Sequence, residues 1–226
     1  MFKKEKLREM LFRLIFLCIG LIIAHFGVTL FILADMGADP FNVLIQGLRL
    51  LIEKAGFSLT HGTVHMAVCF LIIIVLLFVD RSYVRPGTIV CMFCGGPIID
   101  FFTWVLQPIG IGQAPIWVKI LALAAGCAIL AFGMTIVIRS EAGTGPNDLV
   151  AVVLSDKTKI RFWIVRIVVD VLFVAIGALL GGTFGVGTVI CAFLVGPVAG
   201  FCMPFSKAIV ERGMARLCPE KETEEE

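Results

Sequence analysis

Long apolar runs separated by short polar punctuation dominate the chain. Leu14 to Ala34, Ile120 to Ile138 and Gly187 to Ser206 each come close to the roughly 20 residues that an α-helix needs to cross a bilayer core. Two of the interruptions share one grammar. In ADMGADPFNV (residues 34–43) and SEAGTGPNDL (140–149) a glycine precedes a proline by three residues, and an amide or carboxylate follows the proline. Glycine permits the positive φ of a sharp reversal, and proline suits the first position of a new helix, where its missing N–H costs nothing. The pattern therefore predicts, twice, a long helix that ends, a turn, and a new helix, from Pro40 to about Glu53 and from Pro146 to about Ser155. At ~1.5 Å per residue both new helices are too short for a ~30 Å core, so they are expected to be re-entrant or interfacial.

The shared grammar belongs to a longer internal repeat. Residues 26–44 set on 132–150 give six identities in nineteen positions without a gap: Phe26/Phe132, Gly27/Gly133, Thr29/Thr135, Ile32/Ile138, Gly37/Gly143 and Pro40/Pro146. A second window sets 87–102 on 187–202 and pairs Gly87 with Gly187, Thr88 with Thr188, Cys91 with Cys191, Gly96 with Gly196 and Pro97 with Pro197. Each half then reads as a long helix, the punctuation, a short helix and two more long helices. Three crossings per half is an odd number, so the second half is expected to enter the membrane upside down. The predicted fold is an all-α polytopic helical membrane bundle built from two inverted-topology repeats, with about six spanning helices and two short ones. A single transmembrane domain covers 1–226, with repeat 1 at about 11–106, repeat 2 at about 117–206 and a cytoplasmic tail over 207–226. Eight crossings, which would instead expose Arg81, Arg85 and Arg139, remain the alternative, because the charge bias alone does not separate the two; the shortness of the two helices favours six. Both arrangements place the N and C termini in the cytoplasm.

Composition agrees with the pattern. Of 226 residues 59% are hydrophobic and the mean hydropathy is +1.03, more apolar surface than a soluble domain of this size can hide. The start MFKKEKLREMLFRLIFLCIG imitates a secretory signal, but its apolar segment outruns the usual ~7 to 15 residues and no A-x-A site follows, which predicts a retained first helix. A net charge of +2 shows no nucleic-acid footprint. The eight cysteines lie almost entirely in apolar segments and read as packing residues. The terminal PEKETEEE has no apolar residue and is expected to be disordered. The partners implied are the lipid bilayer and an unknown small solute, with a homo-oligomer left open and no cofactor.

Candidate chemistry concentrates at the punctuation. Asp39 is placed to cap the helix that starts at Pro40, while Asn42 and Asp148 occupy its third position and that of its counterpart. A helix N-terminus with free donors also receives polar or anionic ligands. Asp39, Pro40, Asn42, Gly143, Gly145, Asn147 and Asp148 are therefore the candidate substrate-binding residues, with helix capping alone as the alternative. Asp100, Arg166 and Asp170 fall inside apolar segments, where charges face a bundle interior or a watered cavity. Arg166 and Asp170 are four residues apart and share a helix face. Asp100 has no local partner and its repeat counterpart is Gly200, so the three are expected to form one polar cluster. His25 and His65 read as packed histidines, and Cys91 with Cys94 as packing thiols without a second ligand pair. No catalytic set, metal cluster or cofactor motif is present in the sequence, which argues against an enzyme.

The glycine, proline and Asn/Asp punctuation after a first long helix, followed by GTIVCMFCGGPIID, resembles the YczE/YyaS/YitT family of bacterial multi-pass membrane proteins. Many members carry an aromatic residue and then Asp after the proline; this chain has Phe41 and Asn42 in one half and Asn147 and Asp148 in the other. The resemblance implies residence in the bacterial cytoplasmic (inner) membrane. Inverted halves, interrupted helices and a few buried charges together point to a small-solute transporter or permease. A non-transporting accessory or regulatory binding protein is the alternative.

Overall fold

In an apolar solvent every backbone donor needs an internal partner, and the chain meets this demand with helices. The computed structural model describes residues 2–217, and among them it has eight α-helices, a few 3-10 turns and no strand. They are α1 (Phe2–Ala34), α2 (Pro40–Lys54), α3 (His61–Val79), α4 (Pro86–Leu106), α5 (Ile116–Ser140), α6 (Pro146–Thr158), α7 (Phe162–Leu179) and α8 (Val186–Leu217). Six of them, all but α2 and α6, are long and apolar enough to cross a membrane. The two short helices start at the expected prolines and run slightly past their expected ends. A larger difference lies at the C-terminus, where α8 continues through residues 207–217 that the sequence assigns to a tail. Cys218 and the PEKETEEE segment lie outside the described residues.

The first and fifth helices form the spine. Glycine lets their backbones touch: a Cβ on Gly20 would lie 2.8 Å from the Gly133 carbonyl oxygen, and one on Gly27 only 2.6 Å from that of Gly126. Rising numbers on α1 meet falling numbers on α5, so the two helices are antiparallel. Small residues are the usual means of such close approach between membrane helices.

Polar contacts sort the connections into two ends. At one end Arg13 reaches Glu141 at 2.6 Å, Gly87 N donates to the Ala142 carbonyl at 3.0 Å, and Tyr83 donates to Asp156 at 2.7 Å. Hydrogen bonds from the Ser82 hydroxyl and amide, helped by Lys157, hold the exposed Asp80 carboxyl there below the usual carboxylate range. At the opposite end Gly187 N donates to the Met36 carbonyl at 2.8 Å and Thr183 N to Gln46 Oε1 at 2.9 Å. The six long helices run between these ends. The segment holding α2 leaves and returns at the second end, and the segment holding α6 leaves and returns at the first.

The two glycine turns fit into each other's halves. Gly37 has φ +106° and packs on the first turn of α8, where a Cβ would lie 2.6 Å from Thr188 Oγ1. Gly143 has φ +151° and packs on the first turn of α4, where a Cβ would lie 2.6 Å from Thr88 N. A side chain at either position meets both an unfavourable backbone conformation and an occupied space. These turns deliver the N-termini of α2 and α6 into the bundle: Ala38 and Val43 share a core cluster with Leu123, Cys127 and Cys191, and Cys127 sits near the middle of α5.

Candidate functional site

The first turn of α2 is built by Asp39. Its extended backbone (φ −61°, ψ 156°) ends the loop, and its carboxylate accepts from Asn42 N at 3.3 Å and from Asn42 Nδ2 at 2.8 Å. Pro40 follows at the first helical position. With its amide nitrogen committed to Asp39, Asn42 turns its oxygen to His61 Nε2 at 2.8 Å. A carbonyl-type oxygen only accepts, so His61 carries its hydrogen on Nε2. Asn42 is 4% exposed, and this chain of bonds satisfies an amide that burial would otherwise penalise.

The first turn of α6 solves the same problem differently. Gly145 supplies no side-chain cap, and Asn147 Nδ2 donates instead to Asp148 Oδ1 at 3.1 Å. Asp148 also receives Arg166 Nη1 of α7 at 2.6 Å, and Arg166 Nε donates to Asp170 at 3.0 Å. Arg166, Asp170, Phe173 and Gly177 succeed one another at helical spacing and form one face of α7. That face lies against α2: Phe173 meets Phe41 with ring centroids 5.5 Å apart, and Gly177 rests on the backbone of Val43. The charges of Asp170 and Arg166 act in turn on the Asp39 carboxyl. The N-termini of both short helices thus converge on one polar face, where Asp148 and Asp170 share a single guanidinium and Asp39 feels its charge from a distance.

The structure brings Arg166 and Asp170 together as the spacing predicts, but places Asp100 elsewhere. Asp100 accepts from Gly62 N at 2.9 Å and from the Thr60 hydroxyl at 2.5 Å, capping the N-terminus of α3 from its place on α4. A carboxylate there faces the positive end of a helix, which gives Asp100 a partner without any cation. Gly62 and Gly96 stand backbone to backbone beside it, which positions the carboxylate on that helix end. Asp148 takes the third place in the cluster. The sequence did not connect Asp148 to Arg166 or Phe41 to Phe173, and His61 carried no signal in it. The α7 spacing 166, 170, 173, 177 was the readable signal for a face shared by charge, aromatic ring and glycine.

His25 and His65 are in contact, ring centroids 5.7 Å apart and nearly perpendicular, and Phe41 lies against His65 at 5.3 Å. Cys91 packs with Leu17, Leu21, Val137 and Ala142, with Cys94 at the edge of the same cluster. Among the described residues no group of three His, Cys, Asp or Glu side chains has a geometry that could hold a metal ion.

A profile described as a family of unknown function (DUF6198) matches residues 11–204. The chain is 27% identical to a Bacillus subtilis protein described as uncharacterized membrane protein YczE, over 92% of this chain and 94% of that protein. It is 25% identical to the B. subtilis uncharacterized protein YyaS, over 86% and 92% of the two chains. An uncharacterized protein of Haemophilus influenzae is 24% identical over 82% and 80%. No solved structure matches. These findings support the YczE and YyaS part of the resemblance seen in the sequence, and with six apolar helices they make the chain a multi-pass membrane protein.

Proposed function

The chain belongs to the DUF6198 family, and we propose that it is a small-solute permease of the bacterial cytoplasmic membrane, made of two inverted halves. One observation carries this reading: two interrupted helices enter an otherwise apolar bundle from opposite ends, and their N-termini meet on the polar face of α7. Discontinuous helices whose termini converge inside the bundle are the means by which many secondary transporters bind a solute between repeats. The solute site comprises Asp39, Pro40 and Asn42 on one side and Gly143, Gly145, Asn147 and Asp148 on the other, with Arg166 and Asp170 between them. Ionisable residues within a membrane bundle pair with one another or face a watered cavity, and they mark solute and ion pathways.

The orientation follows from charge. The end that holds Arg13, Arg81, Arg85, Lys157, Lys159 and Arg161 is far more basic than the end that holds Arg49, Lys54 and Lys119. By the positive-inside rule the first is cytoplasmic, and with it both termini. In a background lacking reactive cysteines, Phe57→Cys is expected to react with an impermeant thiol reagent from outside intact cells, and Lys157→Cys only after the membrane is opened. Labelling of both positions from the same side would sink the inverted arrangement.

The transport reading is tested by uptake into sealed proteoliposomes of labelled amines, amino acids and carboxylic acids. At least one class is expected to accumulate, with the rate falling tenfold or more in Asp148→Asn and Asp39→Asn. Accumulation of none of these beyond protein-free vesicles would turn the reading towards an accessory protein that binds without transporting.

A further inference from the structure

The chain has three histidines in 226 residues, and all three converge at one place. His25 comes from α1, and His61 and His65 from successive turns of α3. The ring of His25 is oriented by the Leu21 carbonyl, 2.8 Å from Nδ1. A carbonyl only accepts, so Nδ1 carries the hydrogen and the neutral ring keeps Nε2 as its base. That Nε2 faces Gly95: a Cβ there would lie 3.0 Å from it and also 3.0 Å from His65 Cε1. The two imidazole edges therefore meet over bare backbone, a space any side chain would fill. His65 is 6% exposed, and its Nδ1 is buried with no hydrogen-bond partner. A buried imidazole nitrogen left open is costly unless something binds to it.

Packing does not account for the pair. In the sequence repeat Ala131 occupies the position of His25 and is fully buried, so the equivalent place in the other half is filled without an imidazole. Among the described residues no third His, Cys, Asp or Glu side chain joins the two rings in a group that could hold a metal. We propose that His25 and His65 form a site for one proton, placed beside the solute site so that the solute moves together with that proton. A proton from water adds to the lone pair of one ring, leaving one imidazolium and one neutral imidazole; its departure restores two neutral rings. At 5.7 Å a second positive charge is opposed by roughly two pH units at an effective dielectric of ~20, so the pair holds one proton at a time.

The surroundings connect the pair to the solute site. From α3 comes His61, whose hydrogen bond to Asn42 leads to the Asp39 carboxylate. From α2 come Arg49, which acts on His61, and Phe41, which lies on His65. From α4, Asp100 faces the start of α3, and beyond Asp39 lie Asp170, Arg166 and Asp148. Unlike Asp148 and Asp170, Asp39 has no cationic side-chain partner among the described residues, and a proton on the histidine pair supplies a positive charge on its side of the bundle.

The coupling role rests on the permease reading, whereas the proton site can be measured without any solute. In protein carrying 15N-labelled histidine the three rings give three sets of signals, and His61→Asn identifies the third. The signals of His25 and His65 are expected to move together as the two rings share one proton. The second step should be displaced by roughly two pH units. Either His25→Asn or His65→Asn should leave a single simple step for the remaining ring. Independent titration of the two rings in the parent protein, or no protonation of either down to the pH at which the fold is lost, would overturn the proposal. With the shared titration present, uptake that ignores an uncoupler would overturn the coupling and leave the permease reading intact.

Discussion

Arg166→Met is expected to destabilise the protein by about 3 kcal/mol, the low end of the cost of breaking a buried ion pair, because each member keeps some exposure. The guanidinium is the cation that both Asp148 and Asp170 bind, so its loss leaves two carboxylates facing one another on the same polar face. Asp170→Leu should cost less, since Arg166 retains Asp148. The pairing also decides which combination rescues. Arg166→Met with Asp170→Leu still strands Asp148, and should remain unstable. Arg166→Met with Asp148→Leu and Asp170→Leu removes all three charges together, and with them the penalty. Thermal unfolding in detergent reads the stability, and the uptake assay reads the role. A triple variant that folds but does not transport assigns the cluster to the solute site, and one that folds and transports makes it structural. If Arg166→Met melts with the parent, both carboxylates are already served by water.

The sequence carried the fold through periodicity and punctuation, and lost the site where contacts cross between elements. Gly37 and Pro40, with Gly143 and Pro146, announced two turns and two short helices because backbone permission is a local property that one residue type reveals. The pairing of Arg166 with Asp170 was legible for the same reason, four residues on one helix. Asp100 was not. Its expected partner was a cation, because a charge in an apolar segment suggests an opposite charge. The protein gives it a helix N-terminus instead, whose partial positive charge is spread over backbone amides and has no residue letter. Asp148 was read as a helix-start residue and is one, yet its ion pair depends on how α6 lies on α7. The histidine contact was hidden likewise: His25 and His65 are far apart in sequence, and Gly95, which lets them meet, reads as one more small residue in a membrane helix.

The crossing of α1 and α5 offers a test of both packing and symmetry. Gly20 and Gly126 correspond in the repeat, as do Gly27 and Gly133, yet the contacts are crossed: Gly20 meets Gly133 and Gly27 meets Gly126. Exchanging the two halves by a two-fold axis through the crossing turns each contact into the other. Gly27→Ala places a methyl 2.6 Å from the Gly126 carbonyl oxygen, and Gly133→Ala places one 2.6 Å from that of Gly20. Both neighbours are backbone and neither can step aside, so the helices must separate along the spine. Each substitution is expected to cost about 3 kcal/mol, the upper part of the range for overpacking. Gly200→Ala, with no atom within 4 Å of the added methyl, should stay within about 0.5 kcal/mol of the parent. The comparison between the two costly variants carries the argument about symmetry. Unfolding measured side by side should give Gly27→Ala and Gly133→Ala matching losses, because an inverted pair of halves presents the same crossing twice. A large loss in one and none in the other would mean that α1 and α5 touch without being equivalent, and the duplication would then describe the sequence but not the shape.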